Sequence, residues 1–521
     1  MANKTLFASL RGPLIPQTNA VNAENAPAYA LAPKQALAQY AATGCFGRTF
    51  YATGGEQLAR VLELCGAVDA EFVARVAVYS RTQSYMKDMP ALLCAFLSAR
   101  APRLHEAVFS RVIDNARMLR TYVQILRSGV VGRKSLGTAP KRLVRQWLAS
   151  RDEDTLFSSS AGRSPSLSDI VKMVHPKPAG AQRQAFYGYM LGRPCDANAL
   201  PKLVMQLEQF KAGQTPEVPD LPFMLLSALP LTREHWVSIA KNASWQTTRM
   251  NLNTFARYGV FDADEMAELI AARLRDADAI RRARVFPYQL LTAYLNCGGA
   301  VPRRVRDALQ DAMELATANV PSIEGRVVVC ADVSGSMSGP VTGYRAGSTT
   351  SVRCIDVAAL IAACVLRKNP EARVLAFDSN AVDAELNPRD SVMTNAGLLS
   401  RMGGGGTNCS APLRLLNDEK ANAELVIFVS DNESWMEHRI NGWAGRGTAM
   451  MAEWSAFRQR NPAAGLVCLD LQPEETTQAA ERADILNIGG FSDQVFEVIS
   501  AFPSGQLEAD HWVARIEAVA L

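Results

Sequence analysis

The sequence predicts a multidomain protein of class α plus α/β, a helical first part followed by a sheet-containing second part. Three observations carry this. From about Pro33 to Thr317 apolar residues recur at three- and four-residue intervals, as in Leu58-Val61-Leu62, Val73-Val76-Ala77 and Ala107-Val108-Val112. After Pro321 short apolar runs alternate with helical stretches. The charge also changes sign: residues 1–324 hold 39 Lys+Arg against 27 Asp+Glu, whereas the remainder holds 16 against 24. A length of 521 residues is ample for two domains with real cores. The expected division is a helical domain over 1–324 and an α/β domain over 325–521.

In the first part the helical stretches run about ten to eighteen residues. Breakers such as Ala101-Pro102, Ser128-Gly129, Gly192-Arg193-Pro194 and Leu229-Pro230 separate them. Helix after helix with short connections predicts stacked antiparallel pairs, an α-solenoid, although no clean sequence period survives. Residues 211–222, rich in Pro and Gly, read as a loop between two groups of helices. In the second part strands are expected at 326–331, 372–377, 424–430 and 464–470. Helices are expected at about 351–367, 409–420 and 448–460. A further strand-like run covers 484–488, and 491–499 reads as a closing helix. Strand–helix alternation predicts a parallel sheet covered on both faces.

Composition narrows the function classes. Residues 1–17 lack the pattern of a signal peptide, and no run approaches the length of a membrane span. The ten cysteines are scattered with no CxxC pair, which fits buried thiols in a reducing cytoplasm better than zinc or a redox dithiol. Residues 101–150 hold ten bases and two acids, the electrostatics of a polyanion binder.

The sharpest motif is Asp332-Val333-Ser334-Gly335-Ser336, directly after the apolar run 326–330. A carboxylate and two hydroxyls at alternate positions can face one small hard cation such as Mg²⁺. Thr407, in Gly403-Gly-Gly-Gly-Thr407, and Asp431, at the end of the apolar run 425–430, can complete the set. Loops at the carboxyl ends of neighbouring strands converge in such sheets. The competing reading has the serines capping the next helix and Asp332 making turn hydrogen bonds. The glycine run lacks the Lys-Ser or Lys-Thr of a phosphate loop.

A second cluster lies in the basic region. Arg133 and Lys134 precede a helix expected near Pro140 that carries Lys141, Arg142 and Arg145. Leu143, Val144 and Leu148 of that helix turn toward the core. His175 and Lys177 follow a short helix stopped by Pro176. Cations and a histidine of this kind suit phosphates and stacked bases; the alternative is a solvated basic face and a structural histidine. His105, His235, His438 and His511 have no ligand-like spacing, and Trp236 and Trp245 read as packing residues. No GxSxG occurs, and Cys409 has no evident histidine partner.

Taken together these residues resemble the Ro ribonucleoprotein autoantigens, which combine a TROVE module with a von Willebrand factor A domain, in their bacterial form. The resemblance rests on Gly132-Arg-Lys134 with Lys141 and Trp147, on Ile170 to Pro178, on Arg284-Val-Phe-Pro287-Tyr, and on the Asp332, Thr407, Asp431 and Gly489-Gly490-Phe491 segments. It implies a ring of HEAT-like helical repeats with a central hole, closed by a doubly wound A domain. It implies binding of small noncoding Y-like RNA on an outer face, of misfolded or 3′-extended single-stranded ends in the hole, and work with an exoribonuclease such as polynucleotide phosphorylase. By the same resemblance Arg133, Lys134, Lys141, Arg142, His175 and Lys177 contact RNA, with Arg145 on the same basic helix. Asp332, Ser334, Ser336, Thr407 and Asp431 form a metal-ion-dependent adhesion site. The expected protein is non-catalytic, cytoplasmic and monomeric, with no membrane partner. Ser338 to Ser351, rich in Gly and Ser, reads as an insert beside the metal loop. The rival reading is a protein–protein adaptor whose A-domain metal captures an acidic partner. A metal-dependent nuclease is a third, for which one cation and no evident general base offer little.

Overall fold

The computed structural model describes residues 15–43, 54–162, 164–227, 229–263, 265–283, 285–341, 352–436, 447–472, 476–480, 482–491, 495–502 and 511–521. The chain forms two compact units. One contains residues 1–61, 274–297 and 306–515; the other contains 62–273, 298–305 and 516–521. The sheet starts close to the expected division at 324/325, but the units are cut differently. Residues from both ends of the helical part belong with the sheet, and the last six residues belong with the helices.

The helical unit is a succession of packed helices. Ala70–Thr82, Asp88–Arg100 and Pro102–Val112 pack on one another, Asp88–Arg100 also packs against Ala116–Ser128, and Pro102–Val112 against Thr138–Ala149. Their ends follow local chemistry. Asp69 and Asn115 cap helix starts by accepting from the backbone N–H of Phe72 and Met118. Pro102 opens a helix at a position where no backbone donor is needed. Gly129 closes one at φ 86°, which a side chain would strain. The core is apolar with a few satisfied polar groups, such as Trp147 Nε1, which donates to the Ile113 carbonyl at 2.6 Å. Trp236 and Trp245 are buried packing residues, as expected. The segment 212–222, between helices Lys202–Lys211 and Phe223–Leu226, is the expected loop.

The other unit is built on a six-stranded sheet. In chain order the strands of the protein are β1 (Ala20–Val21), β2 (Pro27–Ala30), β3 (Val327–Asp332), β4 (Arg373–Phe377), β5 (Ala381–Asp383), β6 (Leu425–Ser430), β7 (Gly465–Asp470), β8 (Thr476–Thr477) and β9 (Ile485–Gly489). The sheet runs β5-β4-β3-β6-β7-β9 and is parallel except for the edge strand β5, antiparallel to β4. The sequence pattern missed β5 because three residues, two of them exposed, leave no apolar alternation. Strands β3 and β6 are buried throughout, as continuous Val/Ile/Leu runs covered on both faces require. On one face Val328, Cys330, Phe377 and Phe428 pack with Leu413, Trp454 and Phe457 of helices Ala411–Asp418 and Ala449–Arg460. Helix Cys354–Lys368, which joins β3 to β4, packs against β3, β4 and β6. Since β3 connects to β4 on one side and the chain later crosses to β6 on the other, the strand order reverses between β3 and β6. That switch point is where such sheets open a crevice at their carboxyl ends.

A second, three-stranded sheet orders β1-β2-β8, both pairs antiparallel. No described helix is long and apolar enough to cross a membrane.

Candidate functional site

Asp332 is the last residue of β3, and Asp431 directly follows β6, so both stand at the switch point. Each is almost fully buried. Asp332 Oδ1 accepts from the Ser334 N–H at 2.8 Å, and its Oδ2 accepts from the Ser430 hydroxyl at 2.6 Å. The Thr407 hydroxyl donates to Ser334 Oγ at 3.0 Å, and Ser334 Oγ lies 3.2 Å from Ser336 Oγ. The structure thus brings Asp332, Ser334, Ser336 and Thr407 together and sets Asp431 on the adjoining strand end. Asp431 Oδ1 lies 3.4 Å from the Glu433 N–H, while its buried Oδ2 has no hydrogen-bond partner.

The Gly-rich loop reaches the site through backbone contacts. Gly404 N–H donates to the Val333 carbonyl at 2.9 Å and Gly335 N–H to the Gly405 carbonyl at 3.0 Å. Gly403 has φ 78°, and a Cβ there would stand 2.3 Å from Val333 Cγ2 and 2.5 Å from the Val333 carbonyl oxygen. Only glycine permits that approach. Asp378, just past β4, accepts from Gly405 N–H at 3.1 Å, and Ser379 Oγ accepts from Gly406 N–H at 3.1 Å.

Burial disfavours the charged form of both carboxyls here. Burial raises the Asp332 carboxyl to about 7, with the neighbouring Asp431 charge pushing the same way and hydrogen bonds from Ser334 and Ser430 opposing. Burial also raises Asp431, against a hydrogen bond from Ser336. Two carboxylates, three hydroxyls and an orphaned buried oxygen fit a hard divalent cation, which favours oxygen donors and keeps room for water. Among the described residues no three His, Cys, Asp or Glu side chains gather as ligands of one ion. The donor set is therefore hydroxyl-rich. The Ser338 to Ser351 stretch lies, from residue 342 onward, outside the described residues.

The basic candidates divide differently. Arg133 points inward: its Nη1 donates to the Ser98 carbonyl at 2.7 Å, and its guanidinium fills the space beside Gly137. Arg142 is ion-paired with Glu106 at 2.8 Å. Lys134 is exposed and Lys141 half-buried. Arg145 Nε donates to the Val174 carbonyl, which ties helix Thr138–Ala149 to the end of helix Leu167–Val174. His175 caps that second helix in the left-handed region at φ 50° and is exposed, as is Lys177. A groove of about 240 Å³ brings Arg145 and Lys177 together with Gln146, Arg183 and Tyr187. Arg183 is fixed from below by Glu153 at 2.6 Å and by the carbonyls of Leu148 and Arg151.

Residues 326–503 match the family described as the Ro60 vWA domain. The relative named RNA-binding protein RO60 from Deinococcus radiodurans is 26% identical over 515 residues, covering 92% of this chain and 94% of its own length. Residues 326–503 are thus similar to the Ro60 vWA domain, and most of the chain is similar to a protein of that name. A Caenorhabditis elegans relative, also named RNA-binding protein RO60, is 24% identical over 305 residues, which is 53% of this chain and 44% of that relative. The crystal structure of the Deinococcus radiodurans RO (RSR) protein has the same fold, with a TM-score of 0.63, 22% identity, and coverage of 91% of this chain and all of that one.

Sequence reasoning missed several residues. Ser430 was in plain view beside Asp431, and a hydroxyl one residue before a strand-end carboxylate was the available signal. Asp378 sits at the end of β4, where ligand-supporting residues of such sheets belong. Arg183 and Tyr187 gave no signal, because helix Ala181–Met190 meets the groove only through tertiary packing. Arg284 lies outside the described residues; Pro287 opens helix Pro287–Leu295.

Proposed function

We infer that this chain is a non-catalytic RNA-binding protein of a small ribonucleoprotein. The observation that carries the reading is the groove where Arg145 and Lys177 stand with Gln146 and Arg183 in a unit with a large excess of bases. Cations that track phosphates are an ordinary means of holding RNA without a base code. The relatives named RNA-binding proteins support it. In finer detail, the reading is a structured Y-like RNA held on a basic face by Lys134, Lys141, Arg142, His175 and Lys177. Loose or misfolded ends would be accepted separately and handed to an exoribonuclease such as polynucleotide phosphorylase. Inward-facing Arg133 would then position the loop 129–137 more than touch phosphate. No disulfide joins any two of the nine described cysteines, which supports a reducing, cytoplasmic setting. Burial pushes the Cys409 thiol well above its ordinary value, which argues against a nucleophilic role. The test is filter binding of a labelled hairpin RNA with a single-stranded tail at low salt. Binding without loss of RNA length is expected; cleavage of the RNA or failure to bind would refute the reading.

A second reading is favoured by one observation, the orphaned buried Oδ2 of Asp431. Asp332, Ser334, Ser336, Thr407 and Asp431 would hold a divalent cation, Mg²⁺ by donor type, with a position left for an acidic residue of a protein partner. In this reading the A domain is an adaptor. Pull-downs separate the two: partners lost on RNase treatment follow the RNA, and partners lost only with EDTA follow the cation.

A further inference from the structure

Helix Ala116–Ser128 carries a basic stripe of its own, apart from the groove of Arg145 and Lys177. Arg117, Arg120, Gln124 and Arg127 follow one another at three- and four-residue spacing and so share one face. Met118, Leu119, Tyr122, Val123 and Leu126 are buried on the other side, and the helix holds no acid. Arg120 is committed to structure: its Nη1 donates to the Ser159 carbonyl at 3.0 Å, and its guanidinium fills the space beside Gly162. Gln124 and Arg127 are exposed and make no hydrogen bond or ion pair with a described residue. They open onto a groove of about 640 Å³ whose other wall is Ser164, Pro165, Ser166 and Asp169.

Helix Leu167–Val174 runs between this groove and the one that holds Arg145. It packs against helix Ala116–Ser128 and against helix Thr138–Ala149. Ser166 and Asp169, at its start, line the first groove; Pro176 and Lys177, just past its end, line the second. Leu167, Ile170, Val171 and Val174 form its buried face. Lys172 and His175 are exposed, and Lys172 has no hydrogen bond or ion pair with a described residue. Unpaired cations therefore stand before, on and after this one helix. At 1.5 Å per residue the helix is about 12 Å long. A stacked strand advances about 3.4 Å per nucleotide, so the helix corresponds to about three to four nucleotides.

The acid on this path is already engaged. Asp169 Oδ2 accepts from the Ser166 N–H at 2.9 Å and from the Ser166 hydroxyl at 2.7 Å, which closes the capping box of the helix. These bonds, with Lys172 and Arg127 nearby, hold its carboxyl below the usual range. One half-buried carboxylate turned to its own helix start is thus set against two exposed cations, and the path keeps a positive excess.

We propose that the two grooves are the ends of one RNA track along helix Leu167–Val174, in which Lys172 and Arg127 take the phosphates of a single strand leaving the groove of Arg145 and Lys177. This deepens the RNA-binding reading above and rests on it. The track is sequence-tolerant, because it is built from cations that meet the backbone. It also sets a length: a strand too short to pass the helix engages only the first groove it meets.

The test is filter binding of the full chain to a hairpin RNA with a single-stranded tail of about two or about eight nucleotides, only the longer of which can bridge the helix. Arg127→Gln with Lys172→Gln alters two exposed, unpaired side chains and leaves the fold intact. This double variant is expected to weaken the long-tailed RNA about five-fold or more and to flatten its salt slope by about 1.4, two contacts at about 0.7 each. The short-tailed RNA should stay within about two-fold. Arg257→Gln, an exposed cation of helix Leu252–Arg257 in the same unit, is the control for the general field and should stay within about two-fold with either RNA. If the unaltered protein binds neither RNA, the RNA-binding reading falls and this inference with it. If Arg145→Ala/Lys177→Ala weakens the RNA while Arg127→Gln/Lys172→Gln leaves the long-tailed one within about two-fold, the track is overturned and the RNA-binding reading stands. Equal losses with the two tails, or an equal loss in Arg257→Gln, would also overturn it.

Discussion

The two units handle charge in opposite ways. In the sheet unit charge is buried and fixed: Asp332 and Asp431 are nearly inaccessible, held by strand ends and oriented by Ser334 and Ser430. In the helical unit charge is spread over the surface, and several cations already have partners, Arg142 on Glu106 and Arg133 on the Ser98 carbonyl. A buried carboxylate pair calls for one ion of defined size. A dispersed basic surface calls for a polymer, and it yields a field more than a geometry. Removing a single residue should therefore be severe in the first region and graded in the second.

The largest effect is expected at the buried pair. Asp332→Ala should weaken Mn²⁺ or Mg²⁺ at least about 100-fold, since it removes a charge and the acceptor for Ser430. Calorimetric titration checks this, and near-normal affinity would break the contrast between the regions. Next is Gly403→Ala. It forces a side chain onto φ 78° and against the Val333 carbonyl, at a cost of about 3 kcal/mol. Denaturant unfolding should show a clear loss, and a change under about 1 kcal/mol would contradict the close approach. In the helical unit Arg145→Ala with Lys177→Ala should weaken RNA about ten-fold at moderate salt. Arg142→Ala should do less, because Glu106 already engages that guanidinium. An Arg142→Ala effect equal to the double variant would move the contact surface along the helix.

The smallest effect sharpens the comparison through pH. His105 is buried against Tyr122, its Nε2 2.9 Å from the hydroxyl. Burial, with Arg133 and Arg142 nearby, lowers it to about 4 from 6.5. Its stabilising contribution is full above 6.5 and declines as pH falls toward 4, since the unfolded chain takes up the proton first. Asp332 has the reverse sign. With its folded value raised to about 7 from 3.8, the ion-free folded form takes up the proton first. That contribution is present below 3.8 and is lost as pH rises toward 7. Hydrogen exchange from pH 7 to 4 without added cation should show the helices around His105 loosening while the β3 and β6 ends tighten. Both regions moving the same way would contradict the assignment.

This contrast also explains what the sequence disclosed. Asp332 and Asp431 were legible because a strand end fixes where its next residue points, and β3 and β6 are unmistakable apolar runs; Thr407 was legible from the glycine run before it. Ser430 and Asp378 were within reach of the same logic. The helices of the first part were legible from periodicity, and so was the 212–222 loop. Which basic residues face outward was not, because Ser98, Glu106 and Val174, which engage Arg133, Arg142 and Arg145, come from other helices. Strands β1 and β2 were illegible for a related reason. They are too short to alternate, and β8, the outer partner of β2, lies near the far end of the chain.

The most direct test of the account is the salt dependence of RNA binding. Affinity of the unaltered protein for a tailed hairpin RNA is measured from low to moderate ionic strength beside Arg145→Ala/Lys177→Ala. The account predicts a steep linear fall of log affinity with log salt, shallower in the variant by about one to two. Equal slopes, or no binding at the lowest salt, would contradict it.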